Sequence, residues 1–345
     1  MLSLPGYTFF RQLGTGARTL VYSGRRDRDG VHVVAKLCRS AVPTARELAL
    51  LRHEFAILRE LDMPELGRAY AIEPYEMGLA MIREHIEGRS LEALLAAAPN
   101  QRLPVISAIT IAINVASTLD KIHRERVIHK DIKPSNVLVD PRTLETWLID
   151  FGISARLSSA AQTMVAPSSL EGTLAYMSPE QTGRMNRVVD HRSDLYMLGA
   201  TLYEMVTGSR PFTTNNTLEL IHSHIARRPS PPHELLRSTP RSLSDIIMKL
   251  LAKAAEDRYQ SGFGLERDLR RCLARPSISR ETETSSLLCR SIESAGTLSS
   301  FSRKLTVWPM LESNFVLFEK KSTPAARPDA SSFILSERSP SSSAS

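Results

Sequence analysis

Val127-Ile128-His129-Lys130-Asp131-Ile132-Lys133-Pro134-Ser135-Asn136-Val137-Leu138 is the stretch that decides how this chain is read. Two short apolar runs bracket a polar loop in which Asp131, Lys133 and Asn136 stand at fixed offsets. That spacing suits phosphoryl transfer: a carboxylate accepts a hydroxyl proton, an ammonium steadies the moving phosphoryl group, and an amide oxygen ligates magnesium. Fourteen residues after Asn136, the apolar run Leu148-Ile149 ends in Asp150-Phe151-Gly152, which supplies a second oxygen ligand. Magnesium prefers oxygen donors and shares its coordination sphere with phosphates, so Asn136 and Asp150 suffice as protein ligands.

Upstream of this loop the chain favours strands. Thr8 to Leu13, Leu20 to Gly24 and Val31 to Leu37 are β-rich runs separated by Gly14-Thr15-Gly16 and by a turn at Asp27 to Gly30. Glycines at 14 and 16 would let the backbone approach phosphate oxygens without a Cβ in the way. From Thr44 to Leu61 the period becomes helical, with Leu48, Leu51, Phe55 and Leu58 on one face. Glu54 falls on that face, so its carboxylate is carried inward and needs a cationic partner. Lys36, at the end of Val33-Val34-Ala35, is the expected partner, and the pair would hold a lysine against the α- and β-phosphates of a nucleotide. Further strands are expected around Ala69 to Glu73 and Leu79 to His85.

Downstream the pattern is helical. Ile106, Ile109, Ile113, Ala116, Leu119 and Ile122 form one stripe, and the apolar stretch Val105 to Leu119 fits a buried helix because Ser107, Thr110, Asn114 and Ser117 interrupt it. Helices are expected at Ser193 to Val206, Leu218 to Arg227, and Leu243 to Ala255, the last entered through a capping-box pattern at Ser242-Leu243-Ser244-Asp245. A strand-rich piece followed by a helix-rich one predicts two lobes of an α+β fold.

Composition sets outer bounds. Lys plus Arg is 44 against 37 for Asp plus Glu, a net charge of +7, but the basic residues are scattered with no aromatic-interleaved run, which argues against nucleic acid as a partner. Cys38, Cys272 and Cys289 are odd in number and lack CxxC spacing, so a reducing compartment fits best. No signal-peptide pattern opens the chain and no uninterrupted apolar stretch is expected to span a bilayer, giving a cytoplasmic expectation. Beyond Ala274 serine dominates, periodicity fades, and Ser339 to Ser345 reads as disordered.

The two loop motifs, in order and spacing, resemble the protein kinase superfamily, and the likeness covers about three quarters of the chain. The resemblance implies a two-lobed kinase-like fold: residues 1–6 an N-terminal extension, 7–274 the kinase domain, and 275–345 a tail. Within the domain it implies a small antiparallel β lobe with one helix (about 7–83), a hinge at 84–88, and a larger, mainly helical lobe at 89–274. It implies that Asp131 is the catalytic base, with Lys133 and Asn136 beside it, that Asn136 and Asp150 hold Mg2+, and that Gly14, Gly16, Val21, Ala35, Lys36 and Glu54 bind ATP. Glu84-His85-Ile86 resembles the hinge, whose backbone at Glu84 and Ile86 would bind adenine. Lys133, two after the base, is the form seen in serine/threonine kinases. Gly172-Thr173-Leu174-Ala175-Tyr176-Met177-Ser178-Pro179-Glu180 resembles the end of an activation segment, Asp194 heads the helix resembling the lobe's central one, and Arg258 matches the arginine that pairs with the Glu180 position. The implied activity is transfer of the ATP γ-phosphate to serine or threonine hydroxyls of protein substrates in bacterial signal transduction.

The wording Ser178-Pro179-Glu180-Gln181-Thr182-Gly183-Arg184-Met185-Asn186-Arg187, with Leu250-Leu251-Ala252-Lys253 and Ala255-Glu256-Asp257-Arg258-Tyr259-Gln260-Ser261, is similar to the N-terminal kinase module of large bacterial proteins. Those proteins continue into an AAA-type ATPase, a GAF-like sensor and a histidine kinase, which the resemblance names as downstream partners. Three departures stand out: Thr19 where the glycine loop usually has its third glycine, Lys130 where many kinases have arginine, and Arg83 where the family usually has an apolar residue before the hinge. They motivate the alternative of a nucleotide-binding pseudokinase or scaffold, against which the presence of Lys36, Asp131, Asn136 and Asp150 together argues. Ser158, Ser159, Thr163, Ser168 and Ser169 are candidate phosphosites by position, and Asn314-Phe315-Val316-Leu317-Phe318 is an apolar patch in the tail.

Overall fold

The computed structural model describes residues 2–16, 18–156, 174–185 and 187–275. Thr173, the candidate phosphosites at 158–169, Cys289 and the tail with its patch at 314–318 lie outside the described residues. The strand-forming runs read from the sequence make a six-stranded antiparallel sheet. Its strands are β1 (Ser3–Leu4), β2 (Tyr7–Thr15), β3 (Thr19–Arg26), β4 (His32–Cys38), β5 (Ala69–Tyr75) and β6 (Gly78–Glu84), in the order β1-β2-β3-β4-β6-β5. Within the N-terminal extension, Ser3 and Leu4 pair with Thr8 and Tyr7, and Leu4 is buried.

Side chains on a strand alternate between faces, and here the alternation sorts the sheet into two packing surfaces. Val33, Ala35 and Leu37 of β4 join Ala80 and Ile82 of β6 and Phe9 of β2 in one apolar cluster. Met81 packs on the opposite face with Leu51, Leu58 and Leu61 of helix α1 (Ala45–Leu61). Thr44 caps that helix: its hydroxyl accepts from the Glu47 amide, and the Glu47 carboxylate accepts from the Thr44 amide. Asp62 closes it in the left-handed conformation.

After the sheet come β7 (Arg89–Ser90), α2 (Leu91–Ala97), α3 (Val105–Arg124), β8 (Val127–Ile128), β9 (Val137–Val139), β10 (Thr146–Leu148) and β11 (Ala155–Arg156). The described residues from 187 to 275 are mainly helical: α4 (His191–Thr207), α5 (Thr217–Ala226), α6 (Pro232–Leu235), α7 (Arg241–Leu250) and α8 (Gly262–Leu273). By length and composition α3 could cross a bilayer, but its Ile109, Ile113, Ala116, Leu119 and Ile122 are buried in the core with residues of α4 and α8, so it is a core helix. The expected capping box at Ser242 does not form. Helix α7 starts two residues earlier, at Arg241 behind Pro240, the Ser242 hydroxyl lies 3.2 Å from the Cys272 sulfur, and Ser244 bonds His233. Tertiary partners outbid local capping at that end, and the helix stops at Leu250, five residues short of expectation.

Two buried polar clusters brace the helical part. Arg258 donates from both Nη atoms to the two carboxylate oxygens of Glu180, at 2.7 and 2.8 Å, and spends its remaining donors on the carbonyls of Ala252, Lys253 and Arg192. The Arg258 side chain is fully buried. His224 sits between Tyr196, whose hydroxyl is 3.0 Å from Nδ1, and Phe212. Burial, aided by the nearby Lys253 ammonium, pushes the His224 imidazole down to about 3.

Removing one partner of a buried bidentate pair leaves the other charge uncompensated. Arg258→Ala is therefore expected to lower unfolding stability by about 3–5 kcal/mol, read from the denaturant midpoint. His224 is held neutral in the fold but binds a proton near 6.5 when unfolded, so its contribution is present above 6.5 and is lost as pH falls toward 3. His224→Gln is expected to flatten the acid-side loss of stability by up to about 1.4 kcal/mol per pH unit relative to the parent, and identical slopes would contradict it.

Candidate active site

The loop quoted first lies between β8 and β9, and its backbone is fixed before its side chains act. The Asp194 carboxylate, fully buried in the first turn of α4, accepts from the amides of His129 at 2.9 Å and Lys130 at 2.7 Å and from His123 Nε2 at 2.8 Å. Burial alone would raise this carboxyl, but hydrogen bonding and charge from His123, with His129 behind, hold it below the usual carboxylate range. Lys130 adopts a left-handed backbone with φ of 66°, and its carbonyl accepts from Gln181, so this residue joins three segments through its main chain. Its ammonium is pushed down by burial, with Asp194 opposing.

His129 is the hinge pin of the loop. The Asp131 amide donates to His129 Nδ1 at 3.3 Å, which leaves Nε2 to donate to the Ile149 carbonyl at 3.2 Å, and the ring meets Phe151 edge-on at 4.5 Å. One imidazole thus couples the Asp131 loop to the segment that leads from β10 to Asp150. Nothing in its sequence spacing marks it for that role beyond its position between two apolar runs.

Within the loop, Asp131 Oδ2 accepts from Lys133 Nζ at 2.9 Å and from Asn136 Nδ2 at 2.8 Å. Because the Asn136 amide nitrogen is spent on Asp131, its Oδ1 is the free-to-ligate atom, meeting only a long 3.5 Å contact from Ser135. The Asn136 carbonyl accepts from the Ile149 amide at 3.0 Å, so the two motifs lie side by side. Asp150 follows with φ of 69°, a left-handed conformation that aspartate tolerates better than most residues.

Across from the loop, Lys36 Nζ donates to Glu54 Oε2 at 2.7 Å and to Asp150 Oδ1 at 2.9 Å. Burial would push the Lys36 ammonium down, but Asp150 and Glu54 outweigh it, and the group stays raised and charged. Asp150 is correspondingly held below the carboxylate range by Lys36 despite its own desolvation. Its side chain remains 44% exposed, so an oxygen is accessible from solvent. Hard oxygen donors from Asp150 and Asn136, with Lys36 between the carboxylates, fit a magnesium–triphosphate group: the ion takes oxygens and the ammonium takes a phosphate.

The glycine loop joins β2 to β3. Gly14 lies across from Val21 in the ladder and Val21 across from Lys36, so all three positions line up in register. A Cβ at Gly14 would meet nothing within 4 Å, so the protein itself does not demand a glycine there, and a ligand approaching the backbone would. The Gly16 amide donates to the Thr19 carbonyl at 2.8 Å, which closes the turn without a third glycine.

Among the sequence-predicted site residues, Lys36, Glu54 and Asp150 lie together, with Asp131, Lys133 and Asn136 beside them, whereas Ala35 turns away. Ala35 shares the face of Val33 and Leu37, opposite to Lys36, because adjacent strand residues point apart. Val34, passed over in the sequence reading, takes the Lys36 face instead; counting two back from Lys36 is the signal that finds it. Near the hinge, the Glu84 carboxylate accepts from the Arg68 amide and the Glu84 amide donates to the Arg68 carbonyl. The Ile86 carbonyl accepts from Gly88. Arg83, left open by the sequence, is buried beside Glu54. Glu180 and Arg258 pair as expected, whereas Thr173 is outside the described residues.

Comparison with known proteins places this geometry. Residues 7–267 match the protein kinase domain family. A probable serine/threonine-protein kinase of Clostridium perfringens is 30% identical over 273 residues, which are 79% of this chain and 39% of that protein. The serine/threonine-protein kinase PknB of Mycobacterium tuberculosis is 30% identical over 264 residues, 74% of this chain and 39% of that protein. A probable kinase of the same name from Bifidobacterium longum is 29% identical over 273 residues, 76% of this chain and again 39% of the relative. The chain thus spans about two fifths of the length of the curated relatives it matches. With an antiparallel sheet carrying Lys36, a helix carrying Glu54, and a helical part presenting Asp131, Asn136 and Asp150 to them, this chain belongs to the protein kinase domain family.

Proposed function

We propose that the chain is an active serine/threonine protein kinase that transfers the γ-phosphoryl group of ATP to protein hydroxyls. The observation that carries this reading is the continuous polar network from Glu54 through Lys36 and Asp150, with Asn136 and Asp131 fixed beside it by the Asn136–Ile149 backbone bond. Lys36, kept charged by two carboxylates, positions the α- and β-phosphates. Asp131 accepts the proton of the attacking hydroxyl, and its hydrogen bonds from Lys133 and Asn136 hold the accepting oxygen in place. Lys133 Nζ, beside that oxygen, is placed to neutralise charge on the transferring group. Asp150 and the Asn136 Oδ1 would hold magnesium, which would supply charge neutralisation on the phosphates. The glycine turn at 14–16 covers the phosphates, and the backbone of Glu84 and Ile86 meets the adenine.

Serine and threonine rather than tyrosine follow from Lys133 two residues after the base, and the relatives named above bear serine/threonine kinase names. We read the reaction as cytoplasmic, where ATP and protein substrates are supplied. We also read the chain as the kinase module of a larger signalling protein, on the wording of residues 178–187 and 250–261, with sensor and histidine kinase modules downstream. Reading the adjoining genomic frames tests that context, and an unrelated downstream frame would refute it.

Incubation with labelled ATP, magnesium and a generic basic protein should transfer label to serine and threonine. Label no greater than in an Asp131→Asn control would overturn the enzyme reading in favour of a nucleotide-binding scaffold, and phosphotyrosine as the product would overturn the hydroxyl class. Asp131→Asn is expected to slow transfer about 10²–10⁴-fold. Asp150→Ala should abolish magnesium-dependent transfer while changing unfolding stability by no more than about 1–3 kcal/mol, the cost of a left-handed alanine. Turnover unchanged in that variant would remove Asp150 from the site.

A further inference from the structure

Strand β6 alternates, so Ala80 and Ile82 point into one apolar cluster while Met81 and Arg83 point to the side of α1. A guanidinium buried on that side is costly unless its donors are met, and Arg83 is only 6% exposed. Its Nη2 donates to the Leu66 carbonyl at 2.7 Å, in the 3-10 turn Pro64–Leu66 that follows α1. Its Nη1 lies 3.6 Å from Glu54 Oε1. That oxygen is buried and accepts no hydrogen bond, while the other oxygen of the same carboxylate holds Lys36. Arg83, Glu54, Lys36 and Asp150 therefore form a row of alternating charge, with Glu54 gripped from both sides. The chain after the turn runs close to the hinge segment: Gly67 has φ of +67°, and a Cβ there would lie 2.8 Å from Ile86 Cδ1, with Arg83 Nη2 at an ordinary contact distance of 3.7 Å.

We infer that Arg83 is a positioning residue for phosphoryl transfer: by holding Glu54 Oε1 and the Leu66 carbonyl together, it fixes helix α1 at the distance where Glu54 Oε2 orients the Lys36 ammonium. The planar fork matters because it serves both partners at once, whereas a lysine offers a point charge to one. Desolvation pushes the Arg83 guanidinium down and Glu54 and Asp150 oppose this, in keeping with a cation placed for those carboxylates. The inference deepens the kinase reading of the same site and rests on it.

A double-mutant cycle of Arg83→Met and Glu54→Gln tests the coupling, with kcat and KM for ATP measured on the full chain. Arg83→Met is expected to lower kcat/KM at least about ten-fold in the parent, and less than about three-fold when Glu54→Gln is already present. Arg83→Lys, which keeps the charge but not the fork, should recover only part of the loss and fall between Arg83→Met and the parent. Equal losses in both backgrounds, or no loss in either, would overturn the inference. If Arg83→Met fails to fold, Arg83→Lys and Arg83→Gln are compared instead, and equal activities of the two would have the same meaning. A parent without transfer refutes the kinase reading separately. Amide exchange over residues 45–61 then decides Arg83, which should slow opening of α1 only while Glu54 is intact.

Discussion

One ammonium is shared by two carboxylates that the chain carries 18 and 114 residues away from it. Lys36 belongs to the sheet, Glu54 to the helix packed on it, and Asp150 to the loop at the edge of the helical part. The shared charge therefore ties three elements to one point. Such a pair is poor evidence of stability, since desolvation offsets much of its attraction. Its value lies in geometry: a buried lysine that stays charged can only point where its carboxylates hold it, and that direction is where phosphate oxygens must come.

The remainder of the site is a problem of backbone placement. Asp131 and Asp150 sit on short loops, which a chain left to itself would not hold still. Two buried acceptors do the holding: Asp194 gathers the amides of residues 129 and 130, and the Ile149 carbonyl takes the His129 imidazole. Farther out, Glu180 and Arg258 lock the 3-10 turn Pro179–Thr182 against the segment between α7 and α8. Left-handed backbones at Lys130 and Asp150 fit this picture, because strained conformations persist where several contacts over-determine them.

Much of this is legible in the sequence alone. Period-two and helical patterns located the sheet strands and α1, and the inward face of Glu54 announced a buried cation. What failed did so for identifiable reasons. Ala35 was assigned by motif position, yet strand parity turns it away from Lys36. Ser242 has a good local capping sequence, but the sulfur of Cys272, 30 residues on, is its neighbour instead. Arg83 looked like a misfit because its partner, Glu54, lies in a different element and its carbonyl acceptor at Leu66 leaves no sequence signature.

By itself the sequence determined which chemical groups are present and in what order: three carboxylates, an amide and two lysines, those on alternating or helical patterns having the face of each side chain fixed as well. Only the tertiary structure decided which of those groups touch. Local pattern is set by dihedral geometry within a few residues, whereas the pairing of Lys36 with Asp150, of Arg83 with Glu54, and of Asp194 with the loop at 129–130 depends on how separately formed elements pack, which no single segment encodes.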